Sequence, residues 1–249
     1  MKKKRYLVYK LIALILIGFI VTFYNAFNGN PISEWIAFKK VEKHVASTYP
    51  DREFRVQEGF YDFKFGEYLF NVIEIGSVDE TNVGPKEYEF RVRGFFSPAI
   101  VWDGVRYSLL DQSLMTRLSR EAEIKIKSLL TTEVENVKEV GIQLEVLKGQ
   151  LPKDIKWEKD VNLDSPMDIH IVIDSTNSTK EETVLTAKKI QDTLKAQGIS
   201  YKRVTINGNV FGLNEKEYGA KASHGYVKYS FSFEPDTTIR KKDIQEENK

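Results

Sequence analysis

Residues 1–27 read MKKKRYLVYKLIALILIGFIVTFYNAF. The cluster Lys2 to Arg5 and a single Lys10 precede an unbroken apolar run from Leu11 to Tyr24. At 1.5 Å rise per residue, a helix over residues 7–24 spans roughly 27 Å, close to the hydrocarbon thickness of a bilayer. Lys10 lies one turn inside the basic end, where its stem carries the ammonium back to the headgroups. Tyr6, Tyr9, Phe23, Tyr24 and Phe27 set rings near both interfaces. The stretch reads as a transmembrane signal-anchor in contact with the lipid bilayer through residues 7–24. Positive charge ahead of the span keeps the amino end in the cytoplasm and the bulk of the chain outside the cell. A cleaved signal peptide shares the layout, but residues 23–27 lack a small-x-small cleavage pattern.

The formal charge is +1, and the first 27 residues hold five basic side chains and no acidic one, so the remainder carries −4. With lysine and glutamate interspersed there is no basic stripe for nucleic acid. The absence of cysteine excludes disulfides, thiolate-held zinc and thiol catalysis.

After the linker Asn28-Gly29-Asn30-Pro31, the periodicity predicts a helix over 32–48 with Trp35, Phe38, Val41 and Val45 on one face, closed by Tyr49-Pro50. Trp35, Phe38 and Tyr49 read as core. Strands follow from Phe54 toward Phe63, over 68–75, and through Tyr88, Phe90 and Val92. A second amphipathic helix is expected over 110–132, along Met115, Leu118, Ala122, Ile126 and Leu129, and then a strand through Val140, Ile142, Leu144 and Val146. Residues 149–166 read as a polar connection. Ile169, Ile171 and Ile173 mark a strand, 179–197 a helix, 201–206 a strand, Asn207-Gly208-Asn209 the opening of a long loop, and Val227 to Phe233 a last strand. The tail from Asp236 reads as frayed. The expected fold is α+β: an N-terminal transmembrane helix, then two small two-layer domains of helices packed on antiparallel sheets. The boundaries are 1–27 for the basic tip and span, 28–108 for a helix plus meander, and 109–249 for the second domain.

Gly29-Asn30-Pro31-Ile32, a helix ending at Tyr49-Pro50, then Gly59-Phe60-Tyr61-Asp62-Phe63-Lys64 with Gly66-Glu67-Tyr68, resemble the YfjL-like family of small membrane-anchored proteins of Bacillus-type bacteria. The resemblance covers the anchor and residues 28–93. It implies extracytoplasmic location and architecture, and no catalytic residue or cofactor.

Two groups of residues invite chemistry. Asp174-Ser175-Thr176-Asn177-Ser178, between a strand and a helix, is similar to the metal-dependent adhesion motif Asp-x-Ser-x-Ser, with Thr176 in the first Ser position. Its carboxylate and hydroxyls suit Mg²⁺. A helix cap made by Ser178 with Glu181 accounts for the same residues. Asp168, His170 and Asp174 share one strand face, where a carboxylate–imidazole pair binds metal or moves protons; opposite three core isoleucines, the same face also reads as a solvated one. His44 and His224 look isolated, and the loop 210–226, with Phe211 and Tyr218, is the best candidate for an interaction loop, a mobile connection being the other reading of the same stretch. No Walker loop, Gly-x-Ser-x-Gly elbow or His-Glu-x-x-His motif is present. The leading expectation is a non-catalytic binding or accessory module at the cell envelope, with an envelope protein or peptide as partner and no catalytic, cofactor-binding or metal residue assigned. The alternative is a metal-dependent binder or hydrolase using Asp174, Thr176 and Ser178 or Asp168 and His170.

Overall fold

A computed structural model describes residues 2–77, 84–95, 97–212 and 225–247, with side chains from Tyr9 onward. The chain divides into two compact units, Met1–Ser108 and Leu109–Lys249.

The first unit begins with α1, Lys2–Asn28, a helix long and apolar enough to cross a membrane. Gly29, at φ +74°, ends it, and α2 runs Pro31–Thr48. Asn30 is the N-cap: its side chain accepts from the Ile32 and Ser33 amides, and Pro31 fills the first turn, where a missing N–H costs nothing. The buried stripe of α2 is Ser33, Ala37, Val41 and Val45. Trp35 lies two residues off that stripe, about 200° round the helix, and is 61 % exposed. The expectation of a core tryptophan is thereby corrected. Phe38 and Tyr49 do pack against the core, Phe38 edge-on to Phe70 at 6.0 Å.

The expected first strand is two: β1, Phe54–Val56, and β2, Phe60–Asp62, lie end to end along the same edge of β3, Glu67–Glu74. They are separated at Gly59, where a Cβ would stand 2.5 Å from the Leu69 carbonyl and the Phe70 ring. β4, Glu87–Arg93, pairs with β3, and β5, Ala99–Asp103, adds an edge strand beyond it that the sequence reading omitted. All pairings in this sheet are antiparallel. α2 covers one face, so that Val41 and Val45 join Phe70, Val72, Phe90 and Val92 in one core. A short α3, Gly104–Ser108, adds Val105 to it.

In the second unit α4 spans Gln112–Glu133, capped by Asp111. Leu114, Leu118, Ala122, Ile126 and Leu130 recur every fourth residue on its buried face. The sheet has the order β10-β9-β8-β7-β6, with β6 Val137–Gln143, β7 Met167–Asp174, β8 Tyr201–Val210, β9 Tyr226–Phe233 and β10 Gln245–Glu246. The class is α+β, but this sheet is mixed rather than antiparallel: β7 and β8 run parallel. A parallel neighbour needs a long crossover, which α5, Lys180–Ala196, supplies. Ile169, Ile171 and Ile173 face α4 and α5, and Val184, Ala187, Ile190 and Leu194 meet them from α5.

Three local expectations change here. Residues 207–209 continue β8. The connection 149–166 carries Trp157, only 3 % exposed, whose amide donates to Glu121 and whose carbonyl accepts from Lys125 on α4. The tail is docked instead of frayed, because it has apolar residues to bury: Ile239 and Ile244 enter the core and β10 pairs with β9.

Candidate functional site

The hollow at the carboxyl ends of β7 and β8 is built from the segment that the sequence singled out. It encloses about 600 Å³ and is lined by Asn136, Lys138, Asp174, Thr176, Ser178 and Phe211, among others. Asp174 closes β7 and folds back on the next turn: its Oδ1 accepts from the Thr176 amide at 3.1 Å and from the Thr176 hydroxyl at 2.7 Å. Its Oδ2 faces Lys138 Nζ at 3.4 Å. The Thr176 hydroxyl bond, helped by Lys138, holds the Asp174 carboxyl below the usual carboxylate range. Thr176 Oγ1 also accepts from the Phe211 amide at 2.9 Å, which ties the end of β8 to this turn. Lys228 Nζ donates to the Ser178 carbonyl at 2.9 Å and the Ser175 carbonyl at 3.3 Å. An ammonium thus already occupies two of the loop's carbonyls.

Ser175 is not part of that surface. It is fully buried, its hydroxyl lies against Gly208, and among the described residues that hydroxyl has no hydrogen-bond partner. The helix cap sits one residue later than the sequence reading placed it: Thr179 and Glu182 bond reciprocally, side chain to backbone in both directions. Thr179 wins over Ser178 because Ser178 lies inside the turn whose carbonyl Lys228 holds. Asp168 and His170 are on the open face of β7, as alternation requires, but they do not converge. Asp168 faces Arg203 Nε at 3.4 Å, and His170 is exposed beside Gly141 and Thr205. His224 and Tyr218 lie outside the described residues.

His44 is not isolated. Its Nε2 is 2.7 Å from Asp103 Oδ2, which also accepts from the Tyr49 hydroxyl at 2.8 Å, while Asp103 Oδ1 accepts from the Arg106 amide at 2.9 Å. Burial and the Asp103 carboxylate push the Tyr49 phenol well up from its usual range. Asp103 ends the strand that sequence reasoning omitted, so the partner of His44 was invisible; the signal available was the apolar run Ala99-Ile100-Val101-Trp102 before it. In the same unit Arg52 makes a two-point pair with Glu74, both bonds 2.7 Å, beneath the rings of Tyr49, Phe54 and Tyr88. These clusters fasten the ends of α2, β3 and β5 together.

The most specific geometry is the joint between α1 and α2. The Asn30 amide donates to Tyr68 Oη at 2.7 Å, Tyr68 Oη donates back to the Asn30 carbonyl at 3.1 Å, and Ser33 Oγ bonds the same hydroxyl. A Cβ at Gly29 would stand 2.8 Å from the Tyr61 side chain and from Tyr68 Oη. Glu67, 5 % exposed, pairs with Arg93 beside the joint. A hollow of about 500 Å³ opens there between Thr22 and Asn25 of α1 and Tyr61, Tyr68 and Phe95. Four of the residues that carried the family resemblance, Gly29, Asn30, Tyr61 and Tyr68, therefore lock an apolar helix onto an antiparallel sheet.

The chain, an apolar N-terminal helix fixed to such a unit with a second α+β unit after it, belongs to the YfjL-like family. The YfjL-like N-terminal domain matches residues 2–104 and the YfjL-like C-terminal domain matches residues 121–246. The chain is similar to the uncharacterized protein YfjL of Bacillus subtilis (strain 168), with 28 % identity over 240 residues, 96 % of this chain and 97 % of that protein. Among solved structures, a DUF5037 family protein from Ruminococcus gnavus aligns over 76 % of this chain and 81 % of its own at 13 % identity and a TM-score of 0.22, a likeness too low to carry an argument.

Proposed function

We infer that the chain is a single-pass envelope protein whose amino end stays in the cytoplasm and whose two α+β units work outside the cell as a non-catalytic binding or accessory module. The observation that carries this reading is the joint: Gly29, Asn30, Ser33, Tyr61 and Tyr68 weld an apolar helix to a folded unit. A flexible leash would need none of these contacts. The charge of Lys2 to Arg5 supports the orientation. Holding a recognition surface at the membrane raises its effective concentration toward an envelope protein or peptide. Protease added to intact cells should remove the chain beyond residue 28, and protection there would overturn the orientation. Cross-linking in intact cells followed by purification should recover one envelope partner reproducibly; recovery of none would overturn the binding role.

A metal-dependent or hydrolytic use of Asp174, Thr176 and Ser178 is the second reading, favoured by the place of their hollow at the carboxyl ends of parallel β7 and β8, where open α/β sheets hold ligands. Against it, both Asp174 oxygens face donors from within the chain. Titration of the purified chain with Mg²⁺ and Zn²⁺ separates the two: a saturable shift in melting temperature that Asp174→Asn abolishes would favour the second reading.

A further inference from the structure

Strand β2 and the turn between it and β3 carry large apolar side chains in the open. Phe60, Phe63 and Phe65 are 63 %, 52 % and 61 % exposed. The turn itself is well made, which rules out a merely slack tip: Asp62 accepts from the Lys64 amide through its side chain and from the Gly66 amide through its carbonyl, and Gly66 takes φ +66°. This shape presents Phe63-Lys64-Phe65 outward. Two rings exposed on either side of Lys64 in a rigid turn serve no purpose in the core, which Tyr61 and Tyr68 fill from the other side.

The location of these rings identifies what covers them. Phe19, Phe23 and Phe27 stand at intervals of four residues along α1, with centroids 6.1 Å and then 5.0 Å apart, and Phe63 continues the row at 5.4 Å from Phe27. An uninterrupted file of aromatic rings thus passes from the apolar span into the turn. Phe27 is one turn of helix beyond the end of the apolar run, the depth at which aromatic side chains line the bilayer boundary. Ile32 and Trp35, on the first turns of α2 just past the joint, are exposed as well, at 64 % and 61 %. Lys64, between the two phenylalanines, has the stem length to lie among apolar groups and keep its ammonium at the headgroups.

We propose that the β2–β3 turn is a second membrane contact: Phe63 and Phe65 enter the headgroup–acyl boundary of the leaflet at the carboxyl end of α1, and the first unit lies against the bilayer instead of standing off it. The proposal rests on the anchoring of α1. Its occupant is a lipid surface, because the exposed rings continue an apolar helix and α1 packs directly on β2.

The chain has no cysteine, so single cysteines report without interference. A nitroxide is placed at Phe63→Cys, Phe65→Cys, Ile17→Cys and Asp51→Cys, each in the full chain reconstituted in phosphatidylglycerol–phosphatidylethanolamine vesicles. Asp51 lies beyond the far end of α2, roughly 27 Å along that helix from the joint. Collision with oxygen should exceed collision with a water-soluble nickel chelate several-fold at 17, 63 and 65, and the ratio should reverse at 51. A water-exposed label at 17 defeats the anchoring itself. Lipid exposure at 17 with nickel access at 63 and 65 equal to that at 51 defeats this proposal alone. Exclusion of both reagents at 63 and 65 also defeats it, since a protein partner or a second copy would then cover the turn. The unsubstituted chain provides an independent reading: a lipid with a photoactivatable acyl chain should label the peptide containing 60–66 as well as α1, and label confined to α1 overturns the proposal.

Discussion

Tyr68 of β3 holds Asn30 by both of its backbone polar groups, accepting from the amide at 2.7 Å and donating to the carbonyl at 3.1 Å. One phenol thereby fixes the residue that caps α2 and follows the turn out of α1. Tyr68→Phe leaves the ring in place and removes the bonds. Because the joint is part-buried, the orphaned Asn30 amide should cost about 1–3 kcal/mol, while the Ser33 hydroxyl keeps its bond to the Asn30 carbonyl at 2.9 Å. Thermal unfolding of the detergent-solubilised chain checks this, and an unchanged midpoint would show that water replaces the phenol.

Gly208 and Ser175 form a coupled pair. Gly208→Ala would set a Cβ 2.5 Å from Ser175 Oγ and 3.1 Å from its Cβ, and should destabilise by about 1–3 kcal/mol, as overpacking does. Ser175→Gly opens that space, so the double variant should recover much of the loss. Denaturant midpoints of the four chains give the coupling directly.

The first unit should weaken in acid through Glu74. Its two bonds to Arg52, and the Tyr88 hydroxyl, hold the Glu74 carboxyl below the ordinary 4.5. The unfolded chain therefore takes up this proton first. The stabilisation is fully present above about pH 4.5 and is lost as pH falls through the lower folded value. Melting temperature followed downward through pH 4.5 should fall less steeply in Glu74→Gln than in the parent chain. An identical slope would assign the acid sensitivity elsewhere.

Ile244, 2 % exposed at the end of the second core, tests the docked tail. Ile244→Ala should cost about 2–4 kcal/mol, whereas a frayed tail would tolerate it without measurable change. Fluorescence of Trp157 follows the unfolding of that unit.

The sequence disclosed what periodicity encodes and little of what long-range pairing encodes. The apolar run of α1, the four-residue stripe of α4 and the alternation of Ile169, Ile171 and Ile173 each have a period that survives without a structure. Trp35 departs from its expected place in the core because a helix with two apolar rows leaves the choice of buried row to the sheet it meets. The parallel pairing of β7 and β8 has no local signature beyond an intervening helix. The charges of the tail point to fraying, yet Ile239 and Ile244 among them are enough to seat it. The Asp174 segment is legible as the turn before a helix, but its cap falls on Thr179 instead of Ser178, and spacing cannot show that Thr176 turns its hydroxyl toward Asp174 or that Ser175 points into the core. His44 had no visible partner, because Asp103 is 59 residues away and only the β4–β5 pairing brings it near.

The joint at Gly29 has a mechanical consequence. A helix that meets a bilayer thinner than its own apolar length tilts to hide the excess. Were residues 28–31 a swivel, such tilting would stop at the membrane surface. With Asn30 held by Tyr68 and Gly29 pressed against Tyr61, the lean of α1 is transmitted to the sheet, as a mast carries its yard. Under the anchoring proposed above, bilayer thickness would set the angle at which the first unit presents itself, so a lipid composition that changes thickness would re-aim that unit without altering a single contact within it.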